Sequence, residues 1–173
     1  MREFENGYWV DETDFRFTFT ILGRPAVLKN SKQLVTVRGK PRLIPNAHAG
    51  KWAKRAIKDV AAQWPFGEPI PDRVEIEASI VTYAHDKRKR DLDNSLSGPL
   101  DILMPPKTGA AGKVKQPGAG ILTDDSQVKS LDGSRLRYDK DNPRVEITIR
   151  PYLEQACPWC GDTHLGGPEL CKT

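Results

Sequence analysis

Apolar and polar residues alternate over Phe15-Arg16-Phe17-Thr18-Phe19-Thr20-Ile21, the period-two signature of a half-buried strand, which Gly23, Arg24 and Pro25 end. Lys29 to Ile44 lacks a clear period and reads as irregular chain or a weak hairpin around Arg38-Gly39-Lys40. Asn46 then caps a predicted helix reaching about Trp64. Trp52, Ala56, Val60 and Trp64 follow one another at i+4, with Ala53 and Ile57 on the same stripe. Pro65 to Pro71 is a breaker-rich loop. A second strand has Val74, Ile76, Ala78 and Ile80 alternating with Glu75, Glu77 and Ser79, and extends towards Tyr83.

The second half of the chain is less regular. Ser95 to Met104 predicts a short helix, although Gly98-Pro99 inside it points to a kink or a start near Pro99. Pro105 to Gly120, rich in Gly, Pro and Lys, reads as a flexible surface loop. Val128–Leu131 and Leu136–Tyr138 are expected to form two strands turning at Asp132-Gly133, a favoured hairpin dipeptide. Val145, Ile147 and Ile149 alternate in a last strand that Pro151 ends. Strands and helices mix without strict alternation, which predicts an α+β (α/β) fold with a mixed sheet and helices packed on one face.

Composition narrows the class. A chain of 173 residues, 38% hydrophobic and 29% charged, suits one domain with a real core over residues 1–152, followed by a small Cys/His module over 153–173. No apolar run approaches the roughly 20 residues that span a bilayer, and the first residues lack a signal core. A cytoplasmic location, no membrane partner and reduced or metal-bound thiols are therefore expected. The net charge of +4 is mild, but its placement is not. Ten cations from Arg24 to Lys58 have no acid among them before Asp59, and Lys51, Lys54, Arg55 and Lys58 lie off the apolar stripe of the predicted helix. Lys87-Arg88-Lys89-Arg90 forms a second block that adjoins Asp91. Such clustering is the electrostatic footprint of phosphate binding, and DNA is the expected partner.

The carboxylates beside that block carry the candidate chemistry. Phosphodiester hydrolysis needs an activated water and neutralised phosphoryl charge, which Mg²⁺, or Mn²⁺ in its place, supplies on a few Asp or Glu side chains. Asp91-x-Asp93 would put two carboxylates on one face of an extended segment, and Asp124-Asp125 is a second pair after a short apolar run. Taken singly, each of these aspartates is equally readable as a loop residue or a helix cap, Asp93 capping the helix that follows. At the C-terminus Cys157, Cys160, His164 and Cys171 form C-x2-C-x3-H-x6-C. That spacing suits a closed, structural Zn²⁺ site similar to a CCHC knuckle, with Asp162 the alternative to His164.

The order strand, basic block, Arg90-Asp91-Leu92-Asp93-Asn94, helix, then Leu122-Thr123-Asp124-Asp125-Ser126-Gln127-Val128, and finally Pro143-Arg144-Val145-Glu146-Ile147, resembles the RusA family of Holliday junction resolvases. The resemblance covers roughly residues 15 to 150. It implies a homodimer that binds four-way DNA junctions and makes paired symmetric nicks in a Mg²⁺-dependent reaction during recombination and repair. Asp91, Asp93 and Asp125 match the family's metal-binding aspartates, and Asp124 matches their acidic neighbour. The family's functional lysine, four residues after the second aspartate of D-x-D-N, is Ser97 here, leaving Lys87, Arg88, Lys89 or Arg90 as substitutes. Two other readings stay open: a non-catalytic DNA-binding or regulatory protein using the basic face and zinc tail, and a nuclease of the same fold acting on flaps or other branched DNA.

Overall fold

A computed structural model describes residues 2–3, 9–10, 14–26, 32–108, 112 and 114–153. Two short strands, β1 (Arg2–Glu3) and β2 (Trp9–Val10), pair with each other near the N-terminus. The body then runs through β3 (Phe17–Leu22), the hairpin β4 (Lys32–Val37) and β5 (Lys40–Pro45), and helix α1 (Ala47–Gln63). It continues with β6 (Ile76–Ala84), α2 (Leu92–Leu103), the small rungs β7 (Lys107–Thr108) and β8 (Val114–Gln116), β9 (Val128–Ser130), β10 (Arg135–Tyr138) and β11 (Arg144–Pro151).

Five strands make the main sheet, in the order β10-β6-β11-β3, with β9 also on β6. The β11 pairings with β3 and β6 are antiparallel, while β9 and β10 run parallel to β6, so the sheet is mixed as its sequence pattern predicts. Alternation decides the faces. Ile76, Ala78 and Ile80 of β6, Val145, Ile147 and Ile149 of β11, and Phe19 and Ile21 of β3 are buried in one core. Trp52, Ala53, Ala56 and Val60 of α1 and Ile102 and Leu103 of α2 cover that face, the stripe expected of α1 from its spacing. Burying each large apolar side chain there stabilises the fold by about 1.5–3 kcal/mol.

The other face is polar and tied by charge. Arg144 stacks on the Tyr83 ring at 3.6 Å, donates to Glu146 at 2.7 Å and to Asp139 at 2.9 Å, and Tyr83 donates to Glu146 at 3.1 Å. The Arg144-Val145-Glu146 motif therefore serves the sheet: its valine fills the core and its charged pair braces the opposite face. Among the described residues no helix is long and apolar enough to cross a membrane.

Three expectations need correction. The strands around Asp132-Gly133 do not form a hairpin with one another. Leu131–Ser134 makes a turn (Ser134 N–H to Leu131 C=O, 3.2 Å) that only interrupts one edge, so β9 and β10 succeed each other along β6. Ser134 Oγ accepts the Ile80 N–H at 3.0 Å, filling the gap in the ladder. Helix α2 begins at Leu92, before Ser95, and passes through Pro99, because Gly98 and Pro99 are buried and tertiary packing outweighs the lost hydrogen bond. The segment from Pro105 to Gly120, expected as loop, carries the β7–β8 rungs among its described residues. Its return is pinned to the end of α2: Ala119, Ile121 and Leu122 donate to the carbonyls of Ile102 and Leu103, and Gly120 to that of Met104. At Gly118 a Cβ would lie 1.9 Å from the Met104 carbonyl oxygen, so only glycine allows this approach.

Edge strand β3 is closed off by a side chain. Gln63 Oε1 accepts the Thr20 N–H at 2.8 Å while Gln63 Nε2 donates to the Thr20 carbonyl at 2.9 Å and the Asp59 carbonyl at 2.7 Å. The amide thus imitates one rung of a further strand and protects an edge that would otherwise template pairing with another chain. Replacing Gln63→Ala should lower stability by about 1 kcal/mol in urea melts and speed Thr20 amide exchange more than that of core β6 amides.

Candidate active site

Asp91 and Asp93 stand where β6 hands over to α2, at the carboxyl end of the strand, where α/β sheets commonly bind ligands. Asp91 keeps the extended backbone expected, but Asp93 does not. Asp91 is the N-cap of α2 and Asp93 sits in its first turn, so the shared-face rule for strands does not apply. Asp91 rather than Asp93 occupies the cap, and its carboxylate makes no capping bond to the backbone. It receives the Asn94 side-chain amide at 3.3 Å, while Ser95 Oγ donates to the Asp91 carbonyl at 3.1 Å. Both carboxylates are exposed at the positive end of the helix dipole, which favours negative charge there.

The loop in front is organised by Asp86. Its carboxylate takes Arg90 at 2.8 Å, His85 Nε2 at 2.9 Å and the Arg88 N–H at 3.1 Å. Burial pushes this carboxyl up, but the bonds from Arg88 and Arg90 and the charges of Arg90 and His85 outweigh it, leaving it below its ordinary value. Of the four cations in the block, Arg90 is thus spent internally: its side chain is 27% exposed and also reaches the Asp86 and Arg88 carbonyls. Lys87 lies over the Tyr138 ring at 5.2 Å, and Lys87, Arg88 and Lys89 are exposed. Ser97 donates to the Asn94 carbonyl at 3.4 Å, an intrahelical bond. On α1, Lys51, Lys54, Arg55 and Lys58 are all exposed, with Arg55 facing Asp59 at 3.7 Å.

Asp124 and Asp125 are built differently. Asp124 caps a single 3-10 turn, Asp125–Gln127, accepting the Ser126 N–H at 2.9 Å. Hydrogen bonding from Ser126, joined by a bond with Asp125 and the charge of Lys107, holds the Asp124 carboxyl below its ordinary value. Lys107, on the β7 rung, is the cation whose charge bears on Asp124. Sequence reading gave it no catalytic place, since the proximity depends on the backbone bonds between 102–104 and 119–122.

Gln127 was also missed. It is a buried amide, 3% exposed, in a site otherwise open to solvent. Its Oε1 accepts from Thr123 N–H (2.7 Å), Thr123 Oγ (2.8 Å) and Asp124 N–H (3.3 Å). Its Nε2 donates to the Pro71 carbonyl at 2.8 Å and the Val74 carbonyl at 3.1 Å. The side chain fastens the aspartate turn to the loop that starts β6. A polar residue directly before Val128 in D-D-x-Q-V was the one available signal.

The two carboxylate pairs do not meet within one chain. Val128, just after the aspartate turn, pairs with Ile76 at the start of β6, whereas Asp91 follows the strand's end at Ala84. Helix α2 separates them, and its 12 residues span about 18 Å. Accordingly, among the described residues no three His, Cys, Asp or Glu side chains gather closely enough to hold a metal ion. Cys157, Cys160, His164 and Cys171 lie outside the described residues. No known protein-family model matches the chain, and no curated protein matches it significantly.

Two consequences are measurable. Gln127→Leu strands several buried backbone groups, so it should cost about 3 kcal/mol in denaturant melts, well beyond an exposed Ser126→Ala. For Asp86 the folded-state value lies below the unfolded value of about 3.9, so its contribution is complete above that pH and fades as pH falls through the folded value. Urea melts should show wild type more stable than Asp86→Asn at pH 7, with the gap closing below about pH 4.

Proposed function

We propose that this chain is a structure-specific DNA endonuclease that resolves four-way junctions as a homodimer, each active centre joining Asp91 and Asp93 of one protomer to the partner's Asp125. The observation that carries the reading is the separation of the pairs. Both are exposed, both lie beside cations, and neither is consumed by the core, yet one chain holds them at opposite ends of α2. A two-fold interface is isologous, so it can bring the α2 N-terminus of one copy to the aspartate turn of the other, twice over. Two equivalent centres also suit paired nicks on strands of like polarity. The resemblance to RusA resolvases in the D-L-D-N and D-D-x-Q-V segments supports the same reading.

Within each centre the residues divide the work. Asp91, with no capping bond to hold it, and Asp93 face solvent at the helix N-terminus. Asp124 is held by its turn, so Asp125 is the better ligand of that pair. Mg²⁺ bound by such carboxylates would neutralise phosphoryl charge and supply the activated water. Lys87, Arg88 and Lys89 are placed to position the DNA backbone near Asp91, with the exposed cations of α1 as a second contact. Lys107 gives the Asp124–Asp125 end a positive charge where Ser97 offers none to the Asp91 end.

The test is cleavage of a synthetic four-way junction with Mg²⁺ by wild type, Asp91→Asn and Asp125→Asn. Wild type should cut, and both variants should bind the junction without cutting. Mixing the two inactive variants under subunit exchange should restore nicking, because each mixed dimer then holds one centre with all its aspartates. Inactive mixtures would place each centre within a single chain. A wild type that binds the junction but cuts in neither Mg²⁺ nor Mn²⁺ would leave the non-catalytic binding protein as the reading.

A further inference from the structure

The β4–β5 hairpin is a separate two-stranded sheet that carries exposed apolar side chains. Leu34 and Leu43 are directly opposite each other in its ladder and are 69% and 66% exposed. Val37 and Ile44 are also exposed, at 40% and 36%. A lone two-stranded ribbon is marginal in water, and bare leucines on it add no stability to the free protein.

Register sorts its side chains. Residues opposite one another share a face, so Leu34, Thr36, Pro41 and Leu43 share one face, with Lys32 and Pro45 next in that row at the base of the ribbon. Lys40 and Arg42 lie on the other face with Val35 and Val37, and Arg38 is at the tip. No acid occurs between Leu34 and Ile44. The turn is the two-residue kind that needs positive φ at both positions, and Arg38 (φ 52°) takes the place where Asn or Gly would be unstrained. A guanidinium is therefore held at the tip despite a less suitable backbone conformation.

We infer that this ribbon is a DNA-gripping arm that lies in the major groove of a duplex arm, its Leu34–Leu43 face against base edges, Arg38 at the tip and the long side chains of Lys40 and Arg42 reaching round the ribbon's edge to the flanking phosphates. The inference rests on DNA being the partner in the function proposed above and adds an element that function did not use. The fit is dimensional as well as electrostatic: a groove about 12 Å wide admits a two-stranded ribbon, and six-residue strands extend it roughly 20 Å along the groove. A second copy of the chain seated on the same leucines is the other occupant, and it would show as a leucine variant that changes oligomeric state and not DNA affinity.

Two variants test it against wild type. Arg38→Asn/Lys40→Gln/Arg42→Gln removes charge with a residue that tolerates the turn, and Leu34→Ser/Leu43→Ser removes the apolar pair. Affinity for duplex and four-way DNA is measured across salt, with dimethyl sulfate footprints for groove, circular dichroism for folding and sedimentation for oligomeric state. The charge variant should flatten the slope of log K against log salt by about 3 and bind roughly tenfold or more weakly at physiological salt. The leucine variant should bind more weakly with the wild-type slope and lose protection at guanine N7, which lies in the major groove. Wild-type affinity and slope in both folded variants would overturn the inference, as would a leucine variant that turns monomeric while binding DNA normally. A wild type that binds DNA and protects N7 but cuts no junction would sink the nuclease reading and leave the arm standing. No DNA binding by wild type would sink both.

Discussion

The course of the chain around β6 depends on one buried amide. After β6 the chain crosses over through α2, turns at Gly118 to Leu122 and must start β9 in register with Ile76. Beyond the bonds to the end of α2, the Thr123 and Asp124 N–H groups and the Val74 carbonyl have no strand or helix partner, and leaving them bare would cost about 1–3 kcal/mol each. Gln127 accepts from Thr123 and Asp124 on one side and donates to Pro71 and Val74 on the other. It thereby fixes the aspartate turn, the start of β6 and the first rung of β9 together. Its burial sets it apart from Asp124 and Asp125, its exposed neighbours.

From that constraint follows the separation of the carboxylates. A parallel crossover carries the chain from one end of a strand to the other, so residues just after β6 and just before β9 fall at opposite ends of the unit. Asp91 and Asp93 belong to the first position, Asp124 and Asp125 to the second. Closeness between the two motifs in sequence order is therefore no sign of closeness in space. Like charges kept this far apart also avoid the repulsion that would otherwise destabilise an empty acidic site.

Cations are divided in the same unequal way. Arg90 is drawn into the Asp86 cluster and holds the approach to α2, while Lys87, Arg88 and Lys89 remain at the surface. The charge of Lys107 bears on Asp124 because the chain returning from the β7–β8 rungs is bonded to the end of α2. The longest unbroken basic stretch is carried by an isolated ribbon and the outer side of α1, away from the core. Charge type was readable from composition; which charges are free and which are occupied was not.

Much of the fold was legible locally. The alternation at Phe17 to Ile21, Ile76 to Ile80 and Val145 to Ile149, the Asn46 cap and the Trp52-Ala56-Val60 stripe each report burial of one face by a single element, which needs no knowledge of partners. Exposed aspartates beside cations were legible for the same reason. Pairing across distance was not: Asp132-Gly133 encodes a turn, but whether its strands pair with each other or with β6 depends on which edge is vacant. Pro99 inside α2 and the roles of Gln127 and Lys107 likewise follow from contacts with residues tens of positions away. Periodicity and residue chemistry determined the elements, their buried faces and the candidate carboxylates, because these depend on neighbours along the chain. Only the tertiary structure decided the parallel edge, the burial of Gln127 and the distance between the two aspartate pairs, because each of these depends on where the crossover returns.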